Sequence, residues 1–234
     1  MTSLDGTASV NAPSVAIRSY LSTHHLWAGR HLAKCAAAIE AAATATVRFD
    51  IQHRAYAIGA ILAAVAFAEA AVNELFQDIA DGHLSYAAPL TQQARAAMDA
   101  YWRESEGRHD SIVKKYQLSL GLAGAQPLDP SAEPFQGFSL LNQLRNQLVH
   151  FRPETASAAE VQGLEKRLRG KFPENALMTG AGNPFFPDKC LGAGCANWAV
   201  ATAKAFADET FLRLRVTPNY QRVGWDDQGN PVAL

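Results

Sequence analysis

Residues 51–80 read IQHRAYAIGAILAAVAFAEAAVNELFQDIA, a stretch without proline and without a strand-like alternation of polar and apolar residues. Ile58, Ile61, Leu62, Val65, Val72, Leu75 and Phe76 recur at helical spacing and form one broad apolar face. The many alanines between them let a second helix approach closely. Asp81-Gly82 is a helix stop. The most apolar run, Ala55 to Ala68, lies between Arg54 and Glu69. At about fourteen residues it falls short of the roughly twenty that span a bilayer, so it reads as a buried core helix with no membrane partner.

The flanking sequence extends the helical pattern. Pro13 to about Thr46 reads as a helix with Ser14 as its cap and Leu21, His25, Leu32 and Ile39 on its apolar face. It should pair antiparallel with residues 51–80. Pro89 opens a third helical stretch through Trp102, broken at Gly107, and Ser111 to Leu120 forms a fourth. Gly121 to Gly137, with Pro127, Pro130 and Pro134, reads as a loop. Phe138 to Phe151 is a short helix stopped at Arg152-Pro153. Ser157 to Glu160 resembles a capping box opening a helix to Arg169. Lys171 to Cys195 reads as an ordered loop, and Ala196 to Arg215 as a last helix. From Thr217 onward the chain is a docked extension or a small hairpin. The expected fold is all-α: an antiparallel helical bundle with long loops, one domain over residues 1–215 and an irregular C-terminal tail over residues 216–234.

Composition narrows the function. The 234 residues hold 21 Lys and Arg against 22 Asp and Glu, a formal net charge of −1. This excludes a strongly basic nucleic-acid coat protein and an acidic solvating tail. Cys35, Cys190 and Cys195 are odd in number and cannot close a disulfide framework. With a polar N-terminus that lacks an apolar signal run, they point to the cytoplasm. Gly180-Ala-Gly182 and Gly192-Ala-Gly194 have no strand before them and no Lys-Ser/Thr after them, so neither is a phosphate loop.

The chemistry-bearing stretch is Leu144-Arg145-Asn146-Gln147-Leu148-Val149-His150-Phe151. At 100° per residue, Leu141, Leu144, Leu148 and Phe151 share one face, with Asn142, Asn146 and His150 opposite. Arg145 sits about 140° from His150 and about 7.5 Å away along the axis. Exposed helix faces ordinarily favour Glu, Lys and Gln. A histidine, with a reference pKa near 6.5, exchanges protons at neutral pH. An arginine offers a planar fork to phosphate oxygens, and an asparagine orients either group. Such a set suits phosphoryl chemistry on RNA. Two copies across a two-fold axis would bring a His and an Arg to one phosphate more easily than one helix.

These residues resemble the signature of the HEPN superfamily, an Arg followed by a polar residue and, a few positions on, a His. Here it stands as Arg145-Asn146-x-x-x-His150. The segment Ala66 to Phe76, with Glu69, Asn73 and Glu74, resembles the acidic core helix of such proteins, and the resemblance covers roughly Arg48 to Phe151. It implies a helical bundle, a homodimer through the motif helix, and metal-independent endoribonuclease activity in bacterial defence or stress response. It also implies an antitoxin or regulatory protein as a candidate partner. Carried over, His150 is the general acid/base, Arg145 the transition-state clamp and Asn146 the orienting residue, supported by Asn142, Glu69 and Asn73. The alternative is a non-catalytic module of the same kind that binds RNA, a nucleotide or a protein.

Arg152, Lys166, Arg167, Arg169 and Lys171 follow the motif and are candidate RNA-backbone contacts. Arg103, Arg108, Lys114 and Lys115 form a second basic run. No metal site and no cofactor are expected: Cys190 and Cys195 lack the ligand spacing of structural zinc, and no histidine is evident as a partner for a cysteine nucleophile.

Overall fold

The structure, a computed structural model, describes residues 18–44, 47–104, 109–153, 163–225 and 231–233. Among these residues it contains seven α-helices: α1 (Ser22–Ala41), α2 (Ile51–Ala80), α3 (Gln92–Glu104), α4 (Ile112–Leu122), α5 (Phe135–Val149), α6 (Gly163–Leu168) and α7 (Ala193–Leu214). Extended pairing among the described residues is limited to β1 (Val223–Trp225) and β2 (Pro231–Ala233), antiparallel with Gly224 opposite Val232. The class is all-α, as the periodicity predicts. Ser14, Gly107 and the Ser157–Glu160 capping box lie outside the described residues.

α2 is the centre of the fold. It spans the residues expected, and Asp50 caps it by accepting from the His53 N–H at 2.9 Å. Fifteen of its thirty residues are buried. By length and composition it is also apolar enough to cross a membrane, the only such helix among the described residues. The fourteen-residue run therefore understates its apolar length; in the structure α1 and α7 pack along it. Leu62 leaves the expected face and is 36% exposed.

α1 and α2 are antiparallel: Ser22 meets Glu74 at one end, and Glu40 meets His53 at the other. α7 runs antiparallel to α1, with Ala196 packed among Ala33 and Ala60. A Cβ on Gly29 would lie 3.1 Å from Val200 Cγ2, so small residues set this close approach. The buried face of α1 is Ser22, Leu26, Gly29, Ala33 and Ala36. The Leu21–His25–Leu32–Ile39 face is a correction: Leu21 is 54% exposed.

Neither α1 nor α7 is capped by its own N-cap side chain. Carboxylates from neighbouring helices do it instead. Glu74 accepts from Ser22 N–H at 2.8 Å and from Ser22 Oγ at 2.7 Å. Glu40 accepts from Ala193 N–H at 2.7 Å. A negative charge at a helix N-terminus satisfies orphan donors and complements the dipole. This moves the start of α7 to Ala193, ahead of the expected Ala196. Similarly, Thr91 accepts from Ala94 N–H and opens α3, leaving Pro89 in the preceding turn.

One buried cluster runs from Leu26 to Tyr220 and includes residues of all seven helices. α5 is fixed within it by aromatics: Phe138 stacks on Phe206 of α7 at 4.3 Å, and Phe206 meets Tyr116 of α4 at 4.7 Å. Burying a phenylalanine of this kind contributes roughly 1.5–3 kcal/mol. α5 begins three residues before the expected Phe138, and α4 continues through Gly121. The connection between them is therefore shorter than expected. It is pinned by Gln117, which bonds both Leu128 N–H and Leu128 C=O, and by Arg213 on the Gln126 and Pro127 carbonyls. Past α7 the chain docks through buried Tyr220, whose hydroxyl donates to Asp208 at 2.9 Å.

Candidate functional site

α5 presents two unlike faces. Leu141 and Leu144 are buried, and Leu148 is half-buried. Gln136, Gln143, Asn146 and His150 are exposed, with Ser139, Asn142 and Gln147 half-buried. Asn146 and His150 thus lie on the outward face as predicted, while Asn142 sits at its half-buried margin. Phe151 does not complete the apolar stripe. The helix ends at Val149 with His150 as its C-cap, so the backbone turns away, and Phe151 is 48% exposed. Its ring instead tilts against Phe186, centroids 6.4 Å apart. With Val149, 53% exposed, it leaves an apolar rim on both sides of His150.

At this end the Arg145 and Asn146 side chains meet, and His150 is tied to Asn146 through the backbone. Arg145 Nη1 donates to Asn146 Oδ1 at 2.9 Å, and His150 N–H donates to the Asn146 carbonyl at 2.9 Å. Asn146 therefore holds the arginine with its side chain and the last turn with its backbone. The partner of Arg145 is neutral, as are those of Arg95 and Arg167, whereas Arg18, Arg48, Arg54, Arg103, Arg169 and Arg213 pair with carboxylates. A guanidinium held by an amide keeps its charge for an incoming anion.

No family model, no curated protein and no solved structure matches this chain.

The supporting residues fall elsewhere. Asn73 Oδ1 accepts from Lys115 Nζ at 2.9 Å, and Glu69 acts on the same ammonium. Lys115 is fully buried, with its Nζ 5.6 Å from the Trp102 ring centre. Burial lowers its pKa, and the carboxylates of Glu69 and Asp110 oppose that shift. Among the described residues no hydrogen bond or ion pair joins Glu69 or Asn73 to the motif. Asn142 Oδ1 is buried without a hydrogen-bond partner.

The two basic runs separate. In the second, Lys115 is inside the core, Arg103 pairs with Asp99, and Lys114 pairs with Asp110 at 2.8 Å; Arg108 lies outside the described residues. In the first, Arg152 and Lys166 are exposed. Arg169 is engaged by Glu165 and covers the Phe185 ring, and Lys171 lies 3.4 Å from Glu133. Arg167 donates to Gln143 Oε1, so it too is held by an amide of α5. The sequence reading missed Gln143; its signal was a carboxylate-free outward face.

Three further clusters stand apart. Glu40, His53 and Ala193 N–H form a junction in which burial pushes the Glu40 carboxyl up, while bonds from His53 and Ala193 outweigh it and hold it below its ordinary range. Glu74 behaves oppositely: burial raises it, and Asp78 adds to the rise. The third corrects an expectation, since Cys35 Sγ lies 3.6 Å from His31 Nε2 on the surface of α1. Cys190 and Cys195 are buried.

Proposed function

We propose that this chain is a HEPN-like, metal-independent endoribonuclease of the cytoplasm, working as a homodimer joined at the motif end of α5. The observation that carries this reading is half-buried Arg145 beside exposed Asn146 and His150 on one helix end, with a guanidinium that has no ion pair among the described residues. His150 takes the proton of a ribose 2′-hydroxyl. The 2′-oxygen attacks the adjacent phosphorus, the bond to the 5′-oxygen breaks, and that oxygen takes a proton back from the protonated imidazole of His150. The products are a 2′,3′-cyclic phosphate and a 5′-hydroxyl. Arg145 holds the non-bridging oxygens as charge builds on them. Val149 and Phe151 supply apolar surface for a second copy, which supports the dimer.

Labelled RNA incubated with the protein in EDTA tests the reading. The unmodified protein cleaves, and His150→Ala loses roughly 100-fold or more of the rate. Equal cleavage by both proteins removes His150 from the mechanism. RNA binding without cleavage selects the non-catalytic module.

A further inference from the structure

The outward face of α5 carries no carboxylate. From Gln136 through Ser139, Gln143 and Asn146 to His150, the exposed and half-exposed polar groups on it are amides, a hydroxyl and an imidazole. Such a face can lie against phosphates without repulsion. Two guanidiniums border it, Arg145 at the C-terminal end and Arg167 from α6, and both are held by amide oxygens of α5 itself. Among the described residues neither makes an ion pair.

Arg167 lines a cavity of about 390 Å³ together with Pro130 before α5, Gln136, Ser139 and Leu140 of α5, and Lys171 beyond α6. Two cations, a hydroxyl and an amide thus converge on one hollow. Among the described residues the Lys171 ammonium is tied only to exposed Glu133 at 3.4 Å, a surface pair of the weak kind. The Glu133 side chain is itself engaged, accepting from Gly137 N–H at 2.9 Å. Ser139 and His150 are about 16 Å apart along the helix axis at 1.5 Å per residue, on the same face.

We propose that this cavity is a phosphodiester subsite for single-stranded RNA, separate from the motif. Arg167 and Lys171 hold a backbone phosphate, Ser139 and Gln136 donate to its oxygens, and the strand runs along α5 to His150. The subsite rests on the nuclease reading for the fate of the strand, but its binding is measured separately.

The test uses the full chain and a labelled 2′-O-methyl RNA oligonucleotide, which has no 2′-hydroxyl to attack, in EDTA between about 50 and about 200 mM salt. Arg167→Ala weakens binding about tenfold, as for a charged hydrogen bond, and lowers the log–log salt slope by about 0.7. Lys114→Ala, on the other basic run, changes neither. Arg167→Ala binding with unchanged affinity and slope, or no RNA binding at all, overturns the subsite. Inorganic phosphate should compete only as salt does; saturable displacement that Arg167→Ala abolishes assigns the cavity to free phosphate and overturns the RNA subsite. Arg167-dependent binding with no cleavage of ordinary RNA keeps the subsite and removes the nuclease. Cleavage that needs His150, with Arg167→Ala binding normally, does the reverse.

Discussion

The Arg145 guanidinium and the Asn146 side-chain carbonyl meet at 2.9 Å, a bond between adjacent residues on the last full turn of α5. Asn146 orients the cation without neutralising it, and a carboxylate at the same position would do both. Asn146→Asp should therefore lower RNA cleavage in EDTA by roughly 100-fold, and Asn146→Ala by only about tenfold. Both variants should melt within about 0.5 kcal/mol of the unmodified protein, because the side chain is exposed. A cleavage rate for Asn146→Asp equal to that of Asn146→Ala would show that the charge of Arg145 is not used.

Glu40 ties three chain segments together through His53 at 2.8 Å and Ala193 N–H at 2.7 Å. Its folded-state pKa lies below the ordinary 4.5. A depressed carboxyl contributes stability above its unfolded pKa and loses it as pH falls through the folded value. Glu40→Gln should cost about 1–3 kcal/mol at pH 7, and the deficit should shrink as the pH drops to about 3. Melting curves at the two pH values check this. A deficit that does not change with pH would mean that the carboxylate charge contributes nothing.

Two glycines should respond in opposite directions. A Cβ on Gly194 would lie 2.3 Å from the Pro173 carbonyl oxygen, a backbone atom that cannot swing aside. Gly194→Ala should cost about 2–3 kcal/mol through overpacking. Gly121 lies inside α4, and nothing is within 4 Å of its Cβ position. Gly121→Ala should gain about 0.5–1 kcal/mol by restricting the unfolded chain. Denaturant titrations of the two variants measure the signs directly.

Legibility in the sequence followed the range of the interaction. The end of α2 could be read because its stop, Asp81-Gly82, is local. The outward face of α5 could be read because Asn142, Asn146 and His150 obey a regular 3.6-residue period. Phe151 could not, because its side follows from where the helix ends. Lys115 read as part of a basic surface run, yet it is enclosed by Asn73 and Trp102 from other helices.

The sequence by itself determined the all-α class, the central helix and the face that carries Asn146 and His150. These depend on periodicity and on caps a few residues away. Tertiary structure alone decided where α1 and α7 begin, because their capping carboxylates, Glu74 and Glu40, stand 52 residues from Ser22 and 153 residues from Ala193. It alone brought Gln143 to Arg167 across 24 residues. A helix end buried without a local partner must find one elsewhere in the fold, and no local pattern says where that partner lies.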